Sequence, residues 1–288
     1  MFTDLKGKVR QKVELHVHTT LSDGRLTPEC AIESYREQGF DAVALTDHWK
    51  YGEAGKVGGL TVISGAEYNI GGGATEKGVY HIVGLFMERN PELSSDCGPQ
   101  EIIDRIHAVG GLAVLAHPAW SLNTPEMIMA LRDIDATEIY NAVSEHGQSF
   151  RPDSSIIVDM LASRGVEYPL LATDDAHYYG GVDNAHGYIM VECETNDPEL
   201  IKKAILEKRF YASQGPEVHM YRDGDKFCVD CSPVSHIFFA SNLAWSRRAT
   251  HGEALTHAEY LPTPDDLFVR AFVVDANGKT AWTNIVML

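Results

Sequence analysis

Two histidines separated by one residue, His16 and His18, stand at the end of an apolar segment. If this segment is a strand, both imidazoles project from the same face, because side chains along a strand alternate between its faces. Two such imidazoles form half of a metal site. Imidazole and carboxylate side chains recur along the chain, and we interpret them as one centre: Asp23, Asp47, His48, Glu67, His81, His117, Asp175 and His177.

The elements that must position these residues are short apolar segments that alternate with amphipathic ones from residue 12 to about residue 212. Strands are predicted at residues 13–18, 42–46, 60–64, 79–86, 112–116, 137–140, 169–173 and 188–193. Helices are predicted at residues 28–38, 99–109, 124–132, 154–164 and 197–208, the first with Thr27 as its N-cap. This repetition predicts a parallel sheet that closes, or nearly closes, into a barrel.

The pattern changes after residue 212, where no helical periodicity follows. Short apolar segments occupy residues 218–221, 227–231, 237–241, 268–274 and 282–287. Asp223-Gly224 and Asn277-Gly278 lie between such segments and are hairpin signals. We therefore predict two domains, a barrel at residues 1–212 and a small antiparallel β domain at residues 213–288.

Charge and composition exclude several classes of protein. Lys and Arg number 24 and Asp and Glu number 41, which gives a formal net charge of −17. Nucleic acids and anionic membranes require a cationic surface, so we expect neither as a stable partner. The first 12 residues lack a signal-peptide core, and no apolar segment approaches the ~20 residues of a membrane span. Five cysteines, an odd and sparse set, indicate reduced thiols, and we expect a cytoplasmic location.

Two groups of potential ligands are interpreted as structural. Cys228 and Cys231 have a spacing that suggests a redox or zinc pair, but on a strand they face opposite sides, and ordinary packing is the better interpretation. The remaining scattered histidines are taken as structural or surface residues: His107, His219, His236, His251 and His257.

The main ligand set contains nitrogen and oxygen but no thiolate, which suits Zn, Mn or Fe. A catalytic zinc ion uses about three protein ligands, so this set implies two or three divalent ions with a bridging carboxylate. Ions ~3.5–4 Å apart hold a bridging hydroxide and clamp a phosphoryl oxygen, so no Ser or Cys nucleophile is required. Asp47 remains open to two interpretations, as a ligand or as the carboxylate that orients His48.

The motifs that carry these residues resemble the PHP family, named for polymerase and histidinol phosphatase domains. They occur in family order: His16-Val17-His18-Thr19, Ser22-Asp23-Gly24, Thr46-Asp47-His48, Gly65-Ala66-Glu67, His81-Ile82-Val83-Gly84, Ala116-His117-Pro118 and Asp174-Asp175-Ala176-His177. The resemblance implies a distorted, TIM-like (β/α)7 barrel with a trinuclear centre. It places His16, His18, Glu67 and Asp175 on the first metal, Glu67, His81 and His117 on the second, and Asp23, His48 and His177 on the third. Glu67, Asp175 and His177 are also expected to be catalytic.

The C-terminal part is similar to a two-domain branch of this family, through residues 209–216 and Ala281-Trp282-Thr283-Asn284. The resemblance implies a β-sandwich-like unit after the barrel. One part of that branch is associated with hydrolysis of carbamate esters, which leaves the substrate class open. A large substrate-cap insertion is absent after His117, which weighs against nucleotide specificity.

The leading hypothesis is a phosphoesterase that hydrolyses a small phosphorylated metabolite, a mono- or diester, by attack of a metal-bridging hydroxide. The alternatives are a metallohydrolase of a carbon ester or carbamate, a nuclease acting on nucleic-acid ends, and a non-catalytic metal-binding protein. A phosphate needs further donors, and we expect them from Arg25, Lys50, Asn141, His146 and Arg151. Trp49, Tyr178 and Tyr179 flank the ligand motifs and either line the pocket or pack.

Overall fold

The computed structural model describes residues 2–71, 78–146, 148–245 and 248–288. Its helices are α1 (Pro28–Glu37), α2 (Pro99–Ala108), α3 (Pro125–Met129), α4 (Val143–His146), α5 (Ser155–Ala162) and α6 (Pro198–Leu206). Its strands up to residue 115 are β1 (Phe2–Thr3), β2 (Val9–Glu14), β3 (Ala42–Ala44), β4 (Gly55–Val57), β5 (Leu60–Ile63), β6 (Gly65–Ile70), β7 (Tyr80–Leu85) and β8 (Leu112–Leu115). The later strands are β9 (Ala136–Asn141), β10 (Leu170–Thr173), β11 (Tyr188–Glu192), β12 (Phe210–Ser213), β13 (Val218–Asp223), β14 (Lys226–Ala240), β15 (Ala249–Tyr260), β16 (Phe268–Val274), β17 (Thr280–Trp282) and β18 (Val286–Met287).

Local sequence signals explain where the helices begin. The Thr27 hydroxyl accepts a hydrogen bond from the Cys30 amide, and Pro28 occupies the first turn of α1. Asp197 caps α6 in the same way, accepting from the amides of Glu199 and Leu200. None of the helices in the described ranges is long and apolar enough to span a membrane.

The strands form two sheets of mixed direction. One runs in the order β13-β14-β16-β17-β12-β11-β2-β3-β5-β4, and the other in the order β10-β9-β8-β7-β6. The predicted parallel pairing holds for β2-β3-β5 and for β8-β9-β10. It is wrong for β6-β7-β8 and for β2-β11-β12, which are antiparallel. The connection between β6 and β7 is too short for the helical crossover that parallel neighbours require.

The two sheets meet at isolated bridges rather than along a continuous ladder. Val17 pairs with Ala176 and His48 pairs with Glu67, both in parallel orientation. The fold is therefore mixed α/β with two open sheets among the described residues, and a closed barrel remains a prediction. These bridges place the segments that carry the predicted ligands next to each other.

The C-terminal strands continue the first sheet. β17 pairs with β12 and β16, so hydrogen bonds cross the predicted boundary between residues 212 and 213. Trp282 stacks on Tyr140 at 5.5 Å between ring centroids, which packs the C-terminal β unit against the remainder of the chain. The segments predicted at residues 227–231 and 237–241 form one strand, β14. Its partner β15 is mostly exposed and lacks a clear apolar alternation, which is why sequence patterning missed it.

Candidate metal centre

The bridge between Val17 and Ala176 sets the geometry of the centre. Val17 lies between two predicted ligands, and Ala176 lies between two others. Because alternate residues of an extended segment face the same side, the bridge brings the side chains of His16, His18, Asp175 and His177 into one cluster. The second bridge adds His48 and Glu67 to the same cluster.

A first group of four ligand atoms surrounds a single point. The Nε2 atoms of His16 and His18 are 3.2 Å apart, and they lie 3.3 and 3.0 Å from Asp175 Oδ1. The same two atoms lie 3.4 and 3.2 Å from Glu67 Oε2. Ligands ~2.0 Å from a tetrahedral ion are about 3.3 Å from one another, so these spacings fit one metal ion.

A second group lies on the other oxygen of Glu67. His81 Nδ1 is 2.7 Å and His117 Nε2 is 3.4 Å from Glu67 Oε1. Asp175 also reaches this group, with Oδ2 3.7 Å from His117 Nε2. The carboxylates of Glu67 and Asp175 therefore each direct one oxygen to the first group and the other oxygen to the second. His117 and Asp175 have φ values of 28° and 52°, a backbone conformation that is uncommon for non-glycine residues.

A third group stands at the solvent side of the cluster. Asp23 Oδ1 is 3.4 Å from His177 Nε2, and Asp23 Oδ2 is 3.7 Å from His48 Nε2. His18 joins this group, with Nδ1 3.5 Å from Asp23 Oδ1, a contact that the sequence interpretation did not include. A Cβ at Gly24 would lie 2.2 Å from the His18 carbonyl oxygen, so glycine is required where the Asp23 loop approaches that strand end.

Buried polar atoms show that this cluster fits metal ions. Asp175 Oδ1 and His48 Nδ1 are buried without a hydrogen-bond partner, and an unpaired buried polar atom is costly. A cation coordinated by these atoms removes that cost. The donor set is imidazole and carboxylate throughout, which suits Zn, Mn or Fe. All nine predicted metal ligands belong to the three groups.

The electrostatics indicate that the cluster requires positive charge. Burial by itself would lower the pKa of His18, but the negative carboxylates of Asp175 and Glu67, 3.0 and 3.2 Å from its Nε2, outweigh it and raise the pKa to about 9. Burial would raise the pKa of Glu67, yet the surrounding imidazoles hold it well below its usual value. His48 differs, because burial dominates and lowers its pKa. The buried carboxylates thus retain their charge and attract protons or metal ions to the histidines.

Carboxylates behind the ligands orient them. Glu138 Oε1 accepts a hydrogen bond from His16 Nδ1 at 2.7 Å, which leaves the Nε2 lone pair of His16 for a metal. Glu138 Oε2 accepts from the amide of His117 at 2.8 Å. Glu14 Oε1 accepts from the amide of His16 at 2.9 Å. Sequence analysis missed both glutamates, although a charged residue inside an apolar predicted strand was an available signal.

The two interpretations of Asp47 are resolved by its contacts. Asp47 Oδ1 accepts from the amides of Thr19 and Ser22, and its side chain also accepts from both hydroxyls. The carboxylate therefore organises the loop that carries Asp23. Among the described contacts it neither joins a ligand group nor bonds the imidazole of His48.

The predicted substrate contacts lie in different surroundings. Arg25 is exposed, its guanidinium lies 4.7 Å from the ring centroid of Tyr178, and its amide donates to the His177 carbonyl. Lys50 is exposed and lines a groove of about 1170 Å³ that none of the nine predicted ligands lines. Asn141 is buried and donates from Nδ2 to Asp175 Oδ2 at 3.2 Å, so it contacts the ligands themselves. Arg151 is exposed in a loop, and the side chain of His146 lies outside the described part of the chain.

Side-chain exposure shows from which side the centre is reached. His16 and His18 are fully buried, whereas Asp23 is 55% exposed and His48 is 20% exposed. An aromatic side chain adjoins the second group: the Trp120 ring centroid lies 5.3 Å from that of His81 and 4.9 Å from that of His117. The centre is therefore open to solvent on the side of Asp23 and His48. The sequence analysis did not single out Trp120 as a residue of the centre.

Comparisons with known proteins agree with this geometry. The PHP domain model matches residues 14–178, more than half of the chain. An uncharacterised protein of Methanocaldococcus jannaschii is 29% identical over 155 residues, which is 47% of this chain and 85% of that protein.

Two solved structures also resemble the chain. A two-domain protein of Bacteroides vulgatus, described as containing a predicted PHP-like metal-dependent phosphoesterase, superposes with a TM-score of 0.60 and 15% identity, covering 100% of this chain and 97% of that one. This likeness shows a shared fold over both parts of the chain. Endonuclease Q bound to a 27-mer duplex gives a TM-score of 0.49 and 17% identity, covering 68% of this chain and 56% of that one. From the matched family model and the nine-ligand cluster, we conclude that the chain belongs to the PHP family of metal-dependent hydrolases.

Proposed function

We propose that the protein is a metal-dependent phosphoesterase that hydrolyses a small phosphorylated metabolite, either a monoester or a diester. The observation that carries this proposal is the position of Glu67, whose two oxygens contact ligands of both buried groups. A carboxylate in this position suits adjacent ions, and adjacent ions suit a phosphoryl group, which offers several oxygens to a charged clamp.

The chain's residues divide this task between them. We propose that Glu67, Asp175 and His177 act catalytically as well as binding metal. Glu67 and Asp175 contact both the first and the second group, and His177 belongs to the third group, which is open to solvent. Divalent ions bound here would supply Lewis acidity and an activated water molecule. Two or three ions of Zn, Mn or Fe suit the donors. Glu138 and Asn141 hold His16 and Asp175 in position.

Arg25 supports a phosphorylated substrate. Its guanidinium lies over the ring of Tyr178, which adjoins His177 of the open third group, so it adds a positive charge on this side of the centre. Arginine suits phosphate because its planar donors match the oxygens of that group. We propose that Lys50 and Arg151 bind other parts of the same substrate.

A second candidate is hydrolysis of a carbon ester or carbamate at the same centre. Aromatic rings adjoin the ligands on two sides, with Trp120 against His81 and His117, and Tyr178 at 6.3 Å from His177. Such walls favour a neutral, apolar substrate. A nuclease is less favoured, because the net charge of −17 gives little general attraction for a polyanion.

Two features of the architecture are also proposed, the closure of the barrel and the division into domains. We infer that the two sheets together form the distorted (β/α)7 barrel, since isolated bridges join segments that follow strands of the first sheet to the second. We also infer that residues 1–212 form the hydrolase domain and that residues 213–288 form a small β domain. The similarity to a two-domain fold over the whole chain supports this division.

A hydrolysis screen tests the proposed function. Metal-depleted protein is assayed with phosphate monoesters, cyclic and linear diesters, and aryl carbamates, with Mn and Zn added separately. We expect metal-dependent turnover of phosphate esters that His16→Ala abolishes while the protein remains folded. Turnover of the carbamates alone supports the second candidate, and full activity of metal-free His16→Ala contradicts both.

A further inference from the structure

A second cluster of potential metal ligands lies in the C-terminal β unit, on the strands β14 and β15. The antiparallel register pairs Cys228 with Glu259 and Asp230 with His257. Residues two positions apart share a face of a strand, so all four side chains project from the same side of the sheet. Ligand atoms of Cys228, His257 and Glu259 lie within 4.8 Å of one another.

Asp230 fixes the imidazole of His257 in a metal-binding orientation. His257 Nδ1 lies 2.7 Å from Asp230 Oδ1, and a carboxylate oxygen only accepts, so Nδ1 carries the proton. The lone pair of a neutral His257 is then on Nε2, which lies 3.7 Å from Glu259 Oε1. A carboxylate that holds the outer nitrogen of a histidine is the usual partner of a histidine that binds metal.

Two lysines contact this cluster, but their ion pairs leave one oxygen of Glu259 and the Nε2 atom of His257 for a metal ion. Lys226 Nζ is bonded at 2.5 Å to Glu259 Oε2, so Oε1 remains directed towards His257. Lys6 is paired with Asp230, which acts behind the imidazole rather than as a ligand. The side chains of His257 and Glu259 are 47% and 45% exposed, and they can close by about 1 Å on an ion without disturbing the core.

Cys228 supplies a donor that the main centre lacks. Its side chain is buried at the base of this cluster, with the thiol near the two exposed ligands. Cys231, three residues further along the chain, is also buried, but its register partner is Val218 and its Sγ contacts the Leu255 carbonyl. The two cysteines face opposite sides of the sheet, so the ligands of this cluster come from two strands rather than from the C-x-x-C spacing.

We propose that Cys228, His257 and Glu259 bind a divalent ion of the zinc type, with water at a fourth position. Thiolate, imidazole and carboxylate are the three donor types that zinc accepts in a tetrahedral site. The ion would connect β14 to β15 and so stabilise the edge of the C-terminal β unit. This site is separate from the nine-ligand centre and does not depend on the substrate of the enzyme.

Cobalt absorption distinguishes this site from the main centre. The nine ligands of the main centre include no sulfur, so thiolate-to-cobalt charge-transfer absorption reports only a site that contains a cysteine. Full-length protein is titrated with Co²⁺ beyond saturation of the main centre. We expect a charge-transfer band that Zn²⁺ displaces, that Cys228→Ser removes and that His257→Ala weakens at least tenfold in cobalt affinity.

Matched variants control for other thiols and for folding. Cys30 is exposed and Cys97 is partly exposed, and the double variant Cys30→Ser, Cys97→Ser is expected to retain the band. His257→Ala changes an exposed side chain, so its circular dichroism should match that of the unmodified protein even if Cys228→Ser does not fold. Absence of the band in the unmodified protein, or unchanged cobalt affinity in His257→Ala, overturns the proposal.

Discussion

Glu138 Oε1 lies 2.7 Å from Nδ1 of His16, and both side chains are fully or almost fully buried. The hydrogen bond fixes the tautomer of His16 and directs Nε2 towards Asp175 and Glu67. Because the other oxygen of Glu138 accepts from the His117 amide, one carboxylate sets the position of ligands from two different groups.

Replacing Glu138 by glutamine tests this positioning role. Glu138 uses both carboxylate oxygens to accept hydrogen bonds from His16, His117 and Asn141. A glutamine side chain has only one accepting oxygen. We expect Glu138→Gln to lower metal affinity about 10- to 100-fold, measured by competition with a chelator. Glu126→Gln, on the exposed face of α3, is the control and should leave the metal affinity unchanged. Equal affinity in both variants would show that Glu138 is only a packing residue.

Trp120 should stabilise the second ligand group through its ring contacts. An edge-to-face aromatic contact contributes ~0.5–1.5 kcal/mol, which corresponds to roughly 2- to 10-fold in affinity. Trp120→Ala is expected to weaken the ion bound by Glu67, His81 and His117 by that factor in a metal titration. Trp120→Phe should retain most of the affinity, and Trp245→Ala, at a site 94% exposed, serves as the control. An effect of Trp245→Ala as large as that of Trp120→Ala would contradict the role assigned to the ring.

Substrate charge should determine how much the arginines matter. Arg25→Ala and Arg151→Ala are each expected to raise KM for a phosphate ester roughly tenfold, about 1.4 kcal/mol, and to change KM for a neutral ester much less. Arg222→Ala, at an exposed position of strand β13, controls for a general loss of positive charge. If an arginine variant affects both substrates equally, that arginine does not contact the phosphoryl group.

Asp4 should make the stability of the protein depend on pH. Burial would raise the pKa of Asp4, but the Lys8 amide and the Arg10 guanidinium, 2.6 Å away, outweigh it and lower the pKa below its usual 3.8. A lowered folded-state pKa means that the contribution of Asp4 is complete above about pH 4 and is lost as the pH falls below that value.

Urea unfolding of Asp4→Asn measures this contribution. At pH 7 we expect the variant to lose roughly 2–3 kcal/mol in the free energy of unfolding, because the buried Arg10 loses its closest carboxylate and keeps only the longer contact with Glu192 Oε2 at 3.5 Å. The difference from the unmodified protein should shrink at pH 3. Asp225→Asn, in an exposed turn, should differ by less than about 0.5 kcal/mol at either pH. A deficit in Asp4→Asn that stays constant with pH would remove Asp4 from this role.

The residues that gather in the cluster could be predicted from the sequence because each stands in a short motif at or near a strand end. The spacing of His16 and His18 alone requires a shared strand face. The contact between His18 and Asp23 could not be predicted in this way, since it depends on how closely the Gly24 turn approaches the His18 carbonyl. Glu138 was missed because its role arises from a hydrogen bond to a residue 122 positions away.

The sheets were harder to predict than the ligands. Periodicity located β7 but missed β6, and it gave no information about their antiparallel pairing, which follows from a connection too short for a helix. Similarly, the pairing of β17 with β12 joins residues about 70 positions apart and makes the C-terminal strands part of the first sheet. Such long-range pairing depends on packing across the whole chain rather than on local pattern.

Anomalous diffraction from crystals grown with Mn or Zn tests the central claim most directly. We predict two or three peaks within coordination distance of the nine ligands, with one peak between His16, His18 and Asp175 and another beside His81 and His117. Glu67 should contact both. Well-ordered crystals at saturating metal that show no peak among these side chains would contradict the account.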